Sequence, residues 1–247
     1  MSQLSVVMPA YNEEATLEKV VKRVLKDVPH LLEILIVNDG SKDRTREIAD
    51  ELARQDSRVR AIHQPRNMGK TQALLTGFAE SKGEIVIVQD ADLEYDPAEI
   101  IEVIQPILDD NADVVYGSRF LVRKAARVLY FYHFLANKGL TFFSNLLTNI
   151  NMTDVETCYK AFRGEIIRNM TITSSGFGFE IEVTAKVAKL RCRIYEVPIS
   201  YYGRTYEEGK KIGMIDGVQA LWYIVKYNLF CSLAESFTRI PKLSQAK

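Results

Sequence analysis

Short apolar runs alternate with stretches of three-to-four periodicity through the first half of the chain. Leu4–Met8 reads as a buried strand ended by Pro9, Glu33–Asn38 as a second, Val59–His63 as a third and Ile85–Val88, bounded by Gly83, as a fourth. Leu17, Val20, Val21, Val24 and Leu25 recur at helical spacing, with Asn12 as the expected N-cap and Glu13 and Glu14 in the first turn, where the helix dipole favours negative charge. Further helices are predicted from about Asp43, from about Thr71 to Glu80, near Pro97 and from about Glu180 to Leu190, with another strand over Arg193–Val197. Strands alternating with helices in this way predict an α/β fold with a mainly parallel sheet flanked by helices.

The strand ends carry the chemistry. Pro9-Ala10-Tyr11-Asn12-Glu13 follows the first strand, Asp39-Gly40-Ser41 the second and Asp90-Ala91-Asp92 the fourth, and in a parallel sheet these ends share one edge, where ligands gather. Two carboxylates one residue apart repel unless a cation sits between them. A hard divalent ion, Mg²⁺ or Mn²⁺, bridging substrate phosphates suits that need. The competing reading is a polar loop whose aspartates cap the helix near Pro97. No GxGxxG follows the first strand and no GxxxxGK[ST] occurs, which argues against a dinucleotide or a P-loop site.

Composition narrows the classes further. Among 247 residues, 32 basic side chains balance 32 acidic ones, which argues against a nucleic-acid binder. Cys158, Cys192 and Cys231 are odd in number and far apart, so neither a disulfide framework nor a CxxC site is expected and a reducing cytoplasm is the simplest setting. His30, His63 and His133 are equally scattered, with no zinc spacing among them. No basic-then-apolar leader and no apolar run of about 18 residues is present, so neither a signal peptide nor a spanning helix is predicted.

The ordered set Val6–Glu13, Val37–Ser41, Asn67-Met68-Gly69-Lys70, Asp90–Asp92, Tyr116–Arg119, Asp154–Phe162 and Glu196–Ile199 resembles family 2 glycosyltransferases of the GT-A fold, most of all the dolichyl- or polyprenyl-phosphate sugar synthases. The resemblance covers roughly residues 4 to 210. It implies an inverting, metal-dependent transfer from a nucleoside-diphosphate sugar, with UDP or GDP as the nucleotide, to an acceptor such as polyprenyl phosphate. By the same resemblance, Pro9, Tyr11, Glu13 and Lys70 border the nucleotide-sugar and Asp39 hydrogen-bonds the base. Asp90 and Asp92 hold Mg²⁺ or Mn²⁺ with Glu94 as a third ligand, a position where the relatives often carry Gln. Arg119 and Arg204 face the diphosphate or the acceptor phosphate, a task for which the planar guanidinium fork is suited.

Nucleophile activation leaves two readings. A hydroxyl acceptor needs a general base, for which Asp154 is preferred over Glu156. A lipid phosphate is already anionic and needs only positioning, with Lys160 neutralising it.

The second half adds a surface. Arg119, Arg123, Lys124 and Arg127 precede the aromatic run Val128–Leu135, and Leu140, Phe142, Phe143, Leu146 and Leu147 follow, the make-up of an interfacial segment. Tyr201–Lys211 is polar, aromatic and punctuated by glycine, as a mobile active-site loop would be. The expected organisation is a catalytic domain over residues 1–212 and a helical tail over 213–247, packed on the domain or lying at a membrane surface on the cytoplasmic side. The alternatives are a sugar-nucleotide pyrophosphorylase, which should carry a glycine- and arginine-rich loop after the first strand, and a nucleotide-sugar-binding protein without activity.

Overall fold

The computed structural model of the protein describes residues 3–121, 127, 130–176, 178–205, 207 and 214–243. Arg123, Lys124, Val128 and Leu129 of the basic-aromatic segment, and Tyr206 and Glu208 to Lys211 of the glycine-punctuated loop, lie outside the described residues.

Seven strands form one sheet: β1 (Leu4–Ala10), β2 (Leu31–Asn38), β3 (Val59–His63), β4 (Ile85–Val88), β5 (Val114–Ser118), β6 (Lys160–Arg163) and β7 (Ile194–Pro198). Their order is β3-β2-β1-β4-β6-β5-β7. Parallel pairs join β1 to β2 and β4, β2 to β3, and β5 to β7, while β6 runs antiparallel to both β4 and β5. Val6, Ile34, Leu35, Val86, Ile87 and Val114 have no solvent exposure. Their continuous apolar runs therefore mark strands covered on both faces, each such side chain contributing about 1.5–3 kcal/mol of burial. β5 and β6 are too short and too mixed to stand out by periodicity. Both owe their strand form to pairing across the sheet.

Helix α1 (Leu17–Asp27) begins later than its sequence suggests. Asn12 is not its cap: it sits at φ 54°, gives its N–H to Ser41 Oγ (3.0 Å) and accepts Lys42 N–H at Oδ1 (2.9 Å). Its amide is spent tying the loop after β1 to the loop after β2. Helix α2 spans Thr45–Gln55 and α3 Lys70–Glu80. At Gly77 of α3 a Cβ would lie 2.3 Å from Val7 Cγ1, so the helix lies directly on β1 and delivers its first residue, Lys70, to the sheet edge. A short turn at Pro97–Glu99 leads into α4 (Ile100–Leu108), and its cap is Asp96, which accepts Ala98 N–H at 2.9 Å. Asp90 and Asp92 take no part in that cap.

The chain leaves β5 at Ser118, forms α5 (Phe131–Thr148) and re-enters the sheet at Lys160, which lies opposite Tyr116. After α6 (Gly164–Asn169) comes α7 (Phe179–Leu190), buried on every side from Phe179 to Val187. Helix α8 (Met214–Leu229) packs against α5 and α7, and α9 (Leu233–Ser236) follows. Together α5 and α8 leave Phe131, Tyr132, Phe142, Leu146, Trp222 and Leu229 exposed.

Candidate active site

The ends of β2, β1 and β4 lie side by side, and the loops they carry are knitted together. Glu13 N–H reaches Thr45 Oγ1 (2.8 Å), Glu14 N–H reaches Asp43 Oδ2 (3.1 Å) and Arg44 N–H returns to Glu14 Oε2 (3.1 Å). Asp39 is buried at the end of β2, where its carboxylate accepts the N–H groups of Met68 (2.7 Å) and Gly69 (2.9 Å). It fixes the turn that feeds α3. Gly40 beside it has φ +65°, and a Cβ there would meet Arg66 C at 2.4 Å, so only glycine fits. Pro9 is the penultimate residue of β1, paired with Val37, and Tyr11 lies half-buried just beyond the strand.

The acidic turn after β4 is held from several sides. Lys70 Nζ lies 3.1 Å from Asp90, 3.5 Å from Glu180 Oε1 and 3.4 Å from Cys158 Sγ. Burial works against the charge on Lys70, yet these neighbours keep it cationic. Asp92 Oδ1 accepts Glu94 N–H (3.1 Å), and Leu93 between them adopts φ 64°. Burial, then the charges of Asp90 and Glu94, push the Asp92 carboxyl up to about 7. A turn so overloaded with negative charge is a fitting place for a cation. Among the described residues no three His, Cys, Asp or Glu side chains form a group able to hold a metal.

Glu94, expected as a third ligand, is turned elsewhere. Its Oε1 accepts Arg204 N–H (2.7 Å), its Oε2 accepts Tyr201 O–H (3.0 Å) and its carbonyl accepts Tyr202 N–H (2.9 Å). It clamps the segment after β7 across the acidic turn. Arg204 Nη2 then bridges Glu13 Oε2 (3.0 Å) and the Asp92 carbonyl (2.7 Å). Arg127 joins the same strap, donating from its N–H to Tyr201 O (3.0 Å) and from Nη1 to Gly203 O (3.3 Å). A cleft of about 580 Å³ opens between these groups, lined by Glu13, Asp43, Asp92, Arg127, Tyr202 and Arg204.

On the β5 side, Arg119 and Asp154 form a two-pronged pair: Nε to Oδ2 and Nη2 to Oδ1, both 2.7 Å. Asp154 has no exposure. Burial opposes the charge on Arg119, and Asp154 more than offsets it. An Asp154 so engaged is a poor general base. Lys160 is likewise no surface cation: it has zero exposure and donates to the carbonyls of Val155 (3.0 Å) and Thr157, shaping the turn that carries Asp154. The expectation that Lys160 meets an acceptor phosphate is not supported by this placement. Burial pushes its ammonium toward neutrality. Sequence reasoning missed Glu180 and the clamping role of Tyr201. Glu180 lies about 90 residues from the acidic turn and only the fold brings it to Lys70.

The model for Glycosyl transferase family 2 matches residues 5–171. Among curated relatives, the polyprenol monophosphomannose synthase of Mycolicibacterium smegmatis is 31% identical over 215 residues, covering 84% of this chain and 80% of the relative. The undecaprenyl-phosphate mannosyltransferase of Micrococcus luteus is 28% identical over 229 residues, covering 90% and 93%. Among solved structures, glucosyl-3-phosphoglycerate synthase of M. tuberculosis superposes with a TM-score of 0.72 at 19% identity, over 92% of this chain and 81% of that one. The same synthase with Mg²⁺ and UDP superposes with a TM-score of 0.72 at 21% identity, over 92% and 79%. That likeness establishes a GT-A architecture.

Proposed function

The chain belongs to glycosyl transferase family 2, and from that premise we propose that it passes a hexosyl group from a nucleoside-diphosphate sugar to a polyprenyl phosphate. The observation that carries the reading is the pairing of two charged poles at one sheet edge. Asp90, Asp92 and Lys70 form one, fit for a metal-bound diphosphate; Arg119, locked on Asp154, forms the other, fit for an incoming phosphate. The mannosyl names of the relatives support mannose as the first sugar to test, and both UDP and GDP series belong in that test.

A divalent ion on Asp90 and Asp92 would supply Lewis-acid stabilisation of the departing diphosphate. The chain's own groups do the rest. Arg204, fixed by Glu13 and the Asp92 carbonyl, places a guanidinium at the mouth of the same turn, where negative charge grows as the sugar leaves. Arg119 is pre-oriented by its carboxylate partner and needs no reorganisation to meet an anion. An anionic phosphate attacks without a base, which agrees with an Asp154 engaged by Arg119. Direct displacement inverts the anomeric centre.

A lipid-phosphate acceptor implies a membrane surface. No helix among the described residues is long and apolar enough to cross one. The exposed aromatic face of α5 and α8 supports peripheral contact.

Thermal denaturation with UDP- and GDP-sugars, with and without Mn²⁺, tests the donor half of this reading. A metal-dependent rise in Tm for one nucleotide series is expected, followed by transfer to polyprenyl phosphate. No shift with either series would overturn it.

A further inference from the structure

Asn38 is buried at the last position of β2, and its side-chain amide closes the turn that follows. Its Oδ1 accepts the Ser41 N–H at 3.1 Å, bridging over Asp39 and Gly40. Ser41 Oγ accepts the Asn12 N–H (3.0 Å) and Asn12 Oδ1 accepts the Lys42 N–H (2.9 Å), so this turn is the root of the tie between the loops after β1 and β2. The other end of the amide, Nδ2, lies 3.2 Å from Nδ1 of His63, the residue opposite Asn38 in the β2–β3 ladder. His63 Nε2 in turn lies 2.8 Å from Asp50 Oδ1 on α2.

These contacts admit one arrangement of protons. A backbone N–H only donates, so the atom of Asn38 facing Ser41 is the oxygen and the atom facing His63 is the NH2. That NH2 also only donates, so His63 Nδ1 is the bare nitrogen of the ring. The proton of the neutral imidazole then sits on Nε2, where the Asp50 carboxylate accepts it. Without an acceptor at Nδ1, the buried NH2 of Asn38 loses this partner. An amide turned over would set its NH2 against the Ser41 N–H, donor against donor.

We propose that His63 is a positioning residue for the nucleotide: its bare Nδ1 latches the Asn38 amide in the orientation that builds the turn over residues 38–41, and that turn frames the base. The inference rests on the transferase reading, in which the base lies against Asp39. Asp39 stands inside the turn with its carboxylate on the Met68 and Gly69 amides, while Ser41 holds the loop after β1 that carries Tyr11 and Glu13. A base seated between those loops meets two walls whose separation the Asn38 amide sets. The pole at Lys70 and Asp90 is held by other contacts, to Glu180 and Cys158. Loss of the latch is therefore felt by the base and not by the diphosphate.

Two substitutions separate the ring nitrogens. In His63→Asn the carbonyl oxygen falls near the place of Nδ1, which keeps an acceptor for Asn38 and gives up Asp50; in His63→Gln the amide nitrogen falls near that of Nε2, which does the reverse. The whole chain and both variants are titrated calorimetrically with UDP, GDP and inorganic pyrophosphate, each with Mn²⁺. His63→Gln should weaken the nucleoside diphosphate about tenfold and leave pyrophosphate within about twofold, while His63→Asn should stay within about threefold of the unaltered protein for both. Equal weakening of nucleotide and pyrophosphate, a loss in His63→Asn with none in His63→Gln, or no change in either would make His63 a plain staple between β3 and α2 and overturn the proposal. Should a variant fail to fold, nitrogen NMR of the His63 ring in the unaltered protein decides. The Nε2–H tautomer is expected, with an Nδ1 signal that moves on adding the nucleoside diphosphate and not on adding pyrophosphate. An Nδ1–H tautomer, or a signal indifferent to the nucleotide, would overturn the latch. If the unaltered protein binds neither UDP nor GDP, the transferase reading fails first and the latch falls with it.

Discussion

Glu94 grips the backbone of Arg204 while the Arg204 side chain reaches past it to Glu13. The two contacts, 2.7 Å from Arg204 N to Glu94 Oε1 and 3.0 Å from Nη2 to Glu13 Oε2, fasten the segment after β7 to loops after β4 and β1. Glu94→Ala removes the backbone grip and the Tyr201 hydroxyl contact together. With hydrogen bonds to a charged group contributing about 1.5–3 kcal/mol each, kcat/KM should fall about tenfold or more. A Mn²⁺ titration of the variant should keep its midpoint within about twofold, because the carboxylate serves the strap. A large shift in that midpoint would return Glu94 to the metal.

Asp154 and Arg119 make a buried pair, 0% and 11% exposed at the side chain. Removing one partner strands the other's charge. Asp154→Ala should therefore cost about 3–5 kcal/mol of stability, read as a lower urea midpoint. Asp154→Asn, which keeps the shape, should retain measurable transfer to a lipid phosphate if Asp154 orients Arg119. Complete loss in a folded Asn variant would restore the base.

Acid stability depends on Asp113, which is buried just before β5 and faces Arg193 and Arg163. Burial raises its carboxyl, but hydrogen bonds from Arg193 and Arg163 outweigh this and hold it below its ordinary value. A carboxylate lowered on folding stabilises fully above its unfolded value of about 3.9 and loses that contribution as pH falls through the folded value. Urea midpoints should thus drop between about pH 5 and about pH 2, and less steeply in Asp113→Asn.

Trp222, the only tryptophan, is 59% exposed on the α8 face. If that face seats on a bilayer, anionic vesicles should shift its emission to the blue, and Phe131→Ser on α5 should weaken vesicle binding about tenfold or less. An emission spectrum indifferent to vesicles would overturn the bilayer contact.

The sheet edge formed by β2, β1 and β4 was legible in sequence because each strand and its polar end are local. Residues 4–13, 31–41 and 85–92 each carry an apolar run and its polar end in one stretch, so a parallel sheet aligns them automatically. The β5 side resisted the same reading. Arg119 and Asp154 lie 35 residues apart, and their pairing depends on β5 and β6, which no periodicity reveals. Lys160 misled for a related reason: a lysine in a motif reads as a cation for ligands, and only the register opposite Tyr116 puts it in the core. The resemblance implied a ligand at Glu94, yet the left-handed turn at Leu93 accompanies a side chain turned toward Tyr201 and Arg204.

The reversed strand β6 has a consequence for how such proteins diversify. Because β6 runs against β5, the polypeptide departs the sheet at Ser118 and returns at Lys160 on the same edge, with Tyr116 and Lys160 as neighbours. Everything between, α5 included, is an excursion with adjacent stems, stapled at its base by Arg119 and Asp154. Between Arg119 and Asp154 such a cassette can change in length with no change to the strand register, while Cys158, beyond the staple, keeps its contact with Lys70.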